Sequence, residues 1–164
     1  MNTVIIYIMG VSGSGKTTIG KLLSGKTTLP FFDGDDFHNA ANKEKMKAGI
    51  PLNDDDRAAW LTRLNQLANE QMKKQGGIIA CSALKEKYRK VLSDKITVPV
   101  YWVFLQGSDE LLLERMQLRK EHFMPAVLLP SQLKDLEIPA DCITMDISDS
   151  PGEIVETIIS RIKE

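Results

Sequence analysis

The chain has 164 residues, 43% of them hydrophobic and 26% charged, with a formal net charge of −1. This is the size of one domain with a substantial core, and the near-neutral balance without a basic run argues against a general nucleic-acid or membrane-surface binder. No apolar run approaches the ~20 residues that a spanning helix needs.

Val4-Ile5-Ile6-Tyr7-Ile8-Met9 is a continuous apolar segment, the pattern of a parallel strand covered on both faces. No basic n-region or cleavage-like site precedes it, as expected of a cytoplasmic protein. Gly10-Val11-Ser12-Gly13-Ser14-Gly15-Lys16-Thr17 follows, with every fixed position of G-x-x-x-x-G-K-[ST] filled. Ile19, Leu22 and Leu23 then recur at helical spacing. Strand, glycine turn and helix are the setting in which this motif cradles nucleoside phosphates. The glycines let successive N–H groups face one concavity, and the helix adds its positive end. Lys16 would reach the β- and γ-phosphates and the Thr17 hydroxyl would ligate Mg²⁺, with Thr18 in the same nucleotide-binding set.

The first helix is expected to end near Ser24-Gly25, and a short strand over residues 29–32 leads into Asp33-Gly34-Asp35-Asp36-Phe37-His38. A stretch rich in Asn, Lys and Gly, with no element assigned, runs on through Ile50-Pro51. Asn53 caps the next helix, and Asp54, Asp55 and Asp56 fill its first turn, where the dipole favours negative charge. Trp60, Leu61, Leu64, Leu67, Ala68 and Met72 form its apolar face before Gly76-Gly77 ends it. A third strand over residues 78–83 precedes a helix from Leu84 to about Asp94, with Leu84, Tyr88, Val91 and Leu92 inward. A fourth strand covers 98–105. Ser108 opens a helix with Asp109 and Glu110 in its first turn, Leu112, Leu113 and Met116 for packing, and Arg115, Arg119 and Lys120 toward its end. From His122 onward, prolines at 125, 130 and 139 break the periodicity around a short helical patch near 131–136. That segment, roughly residues 120–139, suits a mobile lid over a phosphate site. A fifth strand over 142–147 and a helix opened by the capping box Ser150-Pro151-Gly152-Glu153 complete the chain.

Strand–helix alternation predicts a single α/β domain, a parallel sheet with helices on both faces and its ligand site at the carboxyl ends of the strands. Cys81 and Cys142, both in apolar strand-like segments, read as free thiols rather than a disulfide.

Several polar residues fall at that edge. Of Asp33 and Asp35, one can orient Mg²⁺ through water and the other accept the proton of an attacking hydroxyl or position it, although a solvated Asp-Gly turn is the bland alternative. Arg57 lies in the first turn of a helix, where a cation opposes the dipole at a cost of ~0.3–1 kcal/mol. Either the three aspartates beside it neutralise it, or its fork grips an anionic group such as a carboxylate. Lys85 and Arg89 lie near the same edge, on what serves equally well as an exposed helix face. His38 and His122 lack metal-ligand spacing, so a zinc site is unsupported, but a neutral His38 can bond a polyol hydroxyl. Arg115 and Arg119, one turn apart, share a face leading into the lid, where they can meet the nucleotide and neutralise a transferring phosphoryl group, although a charged exposed face is the bland alternative.

Taken together, the P-loop, Asp33-Gly34-Asp35 with His38, Asn42 to Met46, Pro51-Leu52-Asn53-Asp54-Asp55-Asp56-Arg57 with Trp60-Leu61, Cys81-Ser82-Ala83-Leu84-Lys85 with Tyr88-Arg89, and Arg115 to His122-Phe123 resemble the short, P-loop gluconate kinases over nearly the whole chain. The resemblance implies the fold of the nucleoside-monophosphate and shikimate kinases, a five-stranded parallel sheet with a lid, and a tendency to dimerise. It implies ATP- and Mg²⁺-dependent phosphorylation of D-gluconate at its 6-hydroxyl. By it, Lys16, Asp35 and Arg119 form the catalytic set, with Asp35 as base or positioner by analogy with shikimate kinases. Asp33 becomes the outer-shell Mg²⁺ partner, Arg115 a nucleotide contact, and Asp35, His38, Arg57, Lys85 and Arg89 the acceptor site. Ala59 departs from the proline the family often has before the tryptophan. The competing expectations are another small-molecule kinase of this fold, such as a shikimate kinase, and a non-catalytic P-loop regulator. A shikimate kinase should show three glycines before the third strand, where this chain has Gly76-Gly77. A regulator would be expected to lose Lys16 or an acceptor-site acid, and this chain keeps Lys16, Thr17, Asp33 and Asp35.

Overall fold

A computed structural model describes residues 2–119 and 125–163. Its centre is β1 (Ile5–Met9), whose five side chains are all fully buried. Each such apolar side chain contributes roughly 1.5–3 kcal/mol by leaving water, so this strand is a stiff platform for the loop that follows it. The Tyr7 hydroxyl in its middle donates to Leu92 O (2.9 Å), and the Tyr7 ring stacks on Trp102 with centroids 4.6 Å apart. The buried phenol thus has a partner.

β1 pairs in parallel with β3 (Gly77–Ala80) on one side and β4 (Val100–Gln106) on the other. β2 (Phe31–Asp33) lies outside β3 and β5 (Ile143–Asp146) outside β4, also parallel, giving the order β2-β3-β1-β4-β5. α1 (Lys16–Thr27) and α7 (Pro151–Lys163) pack together against the sheet, and α3 (Asp54–Met72) packs with α4 (Glu86–Ser93) on its other face. α2 (Ala40–Lys47), α5 (Asp109–Leu118) and α6 (Leu129–Asp135) lie around the carboxyl edge. The chain passes from β3 across β1 to β4, so strand order switches beside β1 and a crevice opens there.

The expected α/β fold is present, with local differences that have physical reasons. α1 runs on past Gly25, which has open space around it, until Thr28 turns left-handed (φ 66°) and its N–H closes on Ser24 O. The polar stretch after His38 contains α2, nucleated when Asn39 accepts the N–H of Asn42 (2.8 Å). Only Asn42 and Met46 of α2 are buried, too few for an apolar stripe to show in the sequence. The patch near 131–136 is α6, entered through a 3-10 turn at Ala126–Leu128. Leu22, Val91 and Leu113, expected to pack inward, are exposed. The capping box at Ser150 forms as expected, with Glu153 Oε2 accepting Ser150 N–H (3.1 Å). Both cysteines are free, Cys81 buried and Cys142 half-buried. Among the described residues no helix is long and apolar enough to cross a membrane. Part of the expected lid, including Lys120 and His122, lies outside the described residues.

Candidate active site

The chain leaves β1 at Gly10 and folds back on itself, with Gly10 N–H reaching across to Ser82 O (3.3 Å) and Ser14 N–H to Val11 O (3.3 Å). Gly13 has φ +81°, and a Cβ there would stand 2.9 Å from Met116 Cγ and 3.0 Å from Leu112 O, so α5 closes against the loop's back. Gly15 is the N-cap of α1 and is itself left-handed. No side chain caps this helix start and no acid occupies its first turn. Its unsatisfied N–H groups therefore open into the loop, where the dipole favours an anion. The Ser14 hydroxyl, buried in the same loop, has no hydrogen-bond partner among the described residues. A buried polar atom without a partner is costly unless a ligand completes it. Lys16 Nζ donates to Gly10 O (3.0 Å) and Val11 O (3.1 Å). Burial pushes its pKa down, opposed chiefly by the charge of Asp35.

Asp33 closes β2 and does two jobs. Its Oδ2 accepts the Thr17 hydroxyl (2.9 Å), and its Oδ1 accepts Asp35 N–H (3.0 Å), capping a 3-10 turn at Gly34–Phe37. That turn brings Asp35 into one cavity with Lys16, Thr17, His38 and Arg57. Burial raises the Asp35 carboxyl to about 6, although Lys16 pulls it down. The turn is fixed from beneath by Trp60, whose indole N–H donates to Gly34 O (2.8 Å). The Trp60 ring stacks on His38 at 4.1 Å and 15°. Asn42 Nδ2 faces His38 Nδ1 (3.4 Å) and donates to Asp56 O (2.7 Å). An amide donor at Nδ1 selects the tautomer with its proton on Nε2. Burial, with Arg57 and Lys43 adding positive charge, lowers the His38 pKa to about 4. The imidazole is thus a neutral hydrogen-bonding group at physiological pH.

The partners of Arg57 and of the aspartates beside it bear on the two readings of that residue. Asp56 is engaged in a reciprocal capping box with Asn53 and accepts Lys45 (3.0 Å). Asp54 pairs with Lys85 (3.2 Å) and Lys87 and accepts the Tyr88 hydroxyl. Arg57, only 8% exposed, instead donates NH1 to the Tyr88 oxygen (2.7 Å) and to Asp135 Oδ2 of α6 (3.4 Å), and it lines the cavity. The neighbouring aspartates do not neutralise it by contact.

Lys85 and Arg89 are not brought to the cavity. Lys85 lies on Asp54 and, at 3.9 Å, on Asp135. Arg89 is buried and donates NH1 to Ala83 O (2.7 Å) and Leu84 O (3.2 Å), holding the chain where Ala83 takes φ 46°. Arg115 donates NH2 to Ile147 O (2.7 Å) and lines a second hollow with Thr18, Pro151 and Ile154. Arg119 is the C-cap of α5, one turn beyond Arg115, and both arginines line this hollow. Arg119 lines both the cavity and the hollow.

Sequence reasoning missed the roles of Trp60, Tyr88, Gln132 and Asp135. Gln132 Oε1 accepts the Ser12 N–H (2.7 Å) and its Nε2 donates to Ser12 Oγ (3.1 Å), placing α6 against the phosphate loop. The spacing of Asn39 and Asn42 was a legible signal for α2 and hence for the His38 support. Nothing local marks Gln132 or Asp135.

The shikimate kinase family model matches residues 12–163. A probable gluconokinase of Dictyostelium discoideum is 46% identical, the match covering 98% of this chain and 86% of the relative. The thermosensitive gluconokinase of Escherichia coli K12 is 45% identical over 91% of this chain and 82% of its own. The crystal structure of a gluconokinase from Sinorhizobium meliloti superposes with a TM-score of 0.85 at 38% identity, covering 95% of this chain and 89% of that one. With these similarities and the P-loop kinase fold, the chain belongs to the gluconokinase family, within the P-loop kinases that the shikimate kinase model describes.

Proposed function

We propose that this protein transfers the γ-phosphoryl group of ATP to the 6-hydroxyl of D-gluconate by direct in-line displacement. The observation that carries the reading is the meeting, in one cavity, of the P-loop lysine, a carboxyl raised to about 6 and a buried arginine. The first handles phosphate, the second a hydroxyl proton and the third a carboxylate. In outline, the acceptor oxygen forms a bond to γ-phosphorus as the bond to the β,γ-bridging oxygen breaks. The hydroxyl proton passes to Asp35, whose raised pKa brings it closer to a general base suited to neutral pH. Lys16 turns from the Gly10 and Val11 carbonyls to the phosphate oxygens, and Arg119 faces the charge that develops between nucleotide and acceptor. Arg57 binds the gluconate carboxylate and neutral His38 donates Nε2–H to a hydroxyl. The hollow beside Arg115 takes the rest of the nucleotide.

The residues present fit a Mg²⁺ ion bound with the nucleotide. The Thr17 hydroxyl and the Asp33 carboxylate stand together beside the open helix end. Among the described residues no cluster of three or more His, Cys, Asp or Glu could hold a metal, in keeping with an ion held mostly by phosphate and water. When bound, such an ion neutralises phosphate charge and orients the γ-phosphoryl group. Met46, Leu52 and Leu128, from α2, the connection after it and the segment entering α6, form an apolar wall on the cavity that limits water as a competing acceptor. Two free thiols suit a reducing compartment such as the cytoplasm.

An ADP-release assay with Mg²⁺·ATP, comparing gluconate, shikimate, a nucleoside monophosphate and no acceptor, tests the proposal. Gluconate-dependent release supports it. Release on another acceptor alone overturns the substrate, and ATP binding without release on any acceptor favours a regulator.

A further inference from the structure

Arg57 NH1 carries two partners that belong to different parts of the molecule. Tyr88 comes from α4, is 4% exposed and is part of the main core. Its hydroxyl accepts from Arg57 NH1 at 2.7 Å and donates to Asp54, the first residue of α3, which Lys85 and Lys87 also hold. The Tyr88 ring adds a cation–π contact, with Arg57 Cζ 5.3 Å from its centroid. Asp135 comes from the last residue of the seven-residue α6, its side chain 28% exposed, and touches the same NH1 at 3.4 Å and Lys85 at 3.9 Å. Among the described residues no hydrogen bond engages Nε or NH2 of Arg57, so that edge of the fork remains for the cavity.

We infer that Tyr88, backed by Asp54, is the positioning residue of Arg57, and that Asp135 is an internal stand-in for the acid's carboxylate, leaving Arg57 when the acid binds. This rests on the reading of Arg57 as the carboxylate binder. The phenol suits a permanent support, because it bonds the guanidinium without neutralising it and passes its own proton toward a carboxylate clamped by two lysines. Asp135 suits a temporary one. It presents a carboxylate to Arg57 and Lys85, the chemistry of the substrate group, from the far end of a short helix that Leu129 seats on the core and that also places Gln132 on the Ser12 N–H. That N–H belongs to the P-loop, so phosphate bound there competes with Gln132, and displacing α6 also draws Asp135 away. Nucleotide and acid would then favour each other's binding through one helix, reciprocally.

The two partners therefore make predictions of opposite sign. Gluconate affinity is measured calorimetrically on the full chain, with and without a non-hydrolysable ATP analogue. Tyr88→Phe keeps the ring and should weaken gluconate binding roughly 10- to 100-fold, the loss expected for a hydrogen bond to a charged group. Asp135→Asn should tighten it about two- to five-fold without nucleotide, as removal of a partly exposed ion pair allows, and should reduce the gain that the analogue gives. Asp54→Asn, which leaves Tyr88 intact, should weaken binding in the same direction as Tyr88→Phe and serves if that variant fails to fold. A merely structural role would lower thermal stability and move both ligands' affinities together, without this split. Unchanged gluconate affinity in Tyr88→Phe, or unchanged or weaker affinity in Asp135→Asn, overturns the corresponding assignment. Arg57→Ala is the separate control: if it leaves gluconate affinity intact, the reading of Arg57 fails, and the inference built on it fails too.

Discussion

Asp35→Asn should yield a protein that is more stable at neutral pH and almost inactive. Burial raises the Asp35 carboxyl from its ordinary 3.8 to about 6, with Lys16 opposing. A group that holds its proton more tightly folded than unfolded makes stability fall as pH rises between those two values, and the loss persists above them. At about 1.4 kcal/mol per pH unit, the ionised carboxylate costs at most about 3 kcal/mol, less whatever water in the cavity screens. Asparagine mimics the protonated acid, so the variant should gain up to about 3 kcal/mol at pH 8 and almost nothing at pH 4. His38 runs the other way. Its pKa is lowered from 6.5 to about 4, so the stability of its neutral form is lost as pH falls through that window. In the parent protein the two trends oppose each other between about pH 4 and 6. Removing Asp35 exposes the His38 trend, and the variant should lose stability on acidification more steeply than the parent. Urea unfolding of both proteins at pH 4, 6 and 8 measures this, with turnover expected to fall about 10²–10⁴-fold. An equal stability difference at all three pH values, or a variant less stable at pH 8, would refute the account of Asp35 as a carboxylate strained by burial.

The rate profile should carry the same signature: kcat/KM for gluconate declines below about pH 6 as Asp35 takes up its proton, and loss of that limb in Asp35→Asn checks the assignment. Thr17→Val removes the hydroxyl that Asp33 now accepts and should raise the Mg²⁺ concentration for half-maximal rate about ten-fold or more, read from a Mg²⁺ titration at fixed ATP. Gly20→Ala places a Cβ 2.2 Å from Phe31 Cε2, between α1 and β2. It should cost about 1–3 kcal/mol in urea unfolding, and no measurable loss would mean that the Phe31 ring swings aside freely.

How far the sequence discloses this site depends on how local each interaction is. The P-loop is legible because its glycines, lysine and threonine are contiguous and the same few residues supply backbone turn, helix end and charge. The cap at Asn53 and the box at Ser150 are legible for the same reason, each closing within one turn. Asp33 and Asp35 were legible locally only as a pair, and the division of labour between them came from the family resemblance. In the 3-10 turn both carboxylates line the cavity, and Asp33 alone accepts the Thr17 hydroxyl and the N–H of Asp35. Arg115 and Arg119 were legible as neighbours from their four-residue spacing, and both line the second hollow, but that spacing does not show that Arg115 turns to Ile147 O or that Arg119 also lines the cavity.

Arg57 marks where local reading ends. Three adjacent aspartates made self-neutralisation as reasonable as substrate binding, since charge and spacing alone cannot say which way each side chain turns. In the fold, Asp56 turns to the cap and Lys45, and Asp54 to α4. The guanidinium meets groups 31 and 78 residues away. A cation at a helix start, facing the dipole's positive end, persists only if something offsets that cost. Here the offset comes from a phenol in the core and a carboxylate on a short peripheral helix. The first is firmly seated while the second is more exposed, the asymmetry that the proposed exchange of Asp135 for a substrate carboxylate requires.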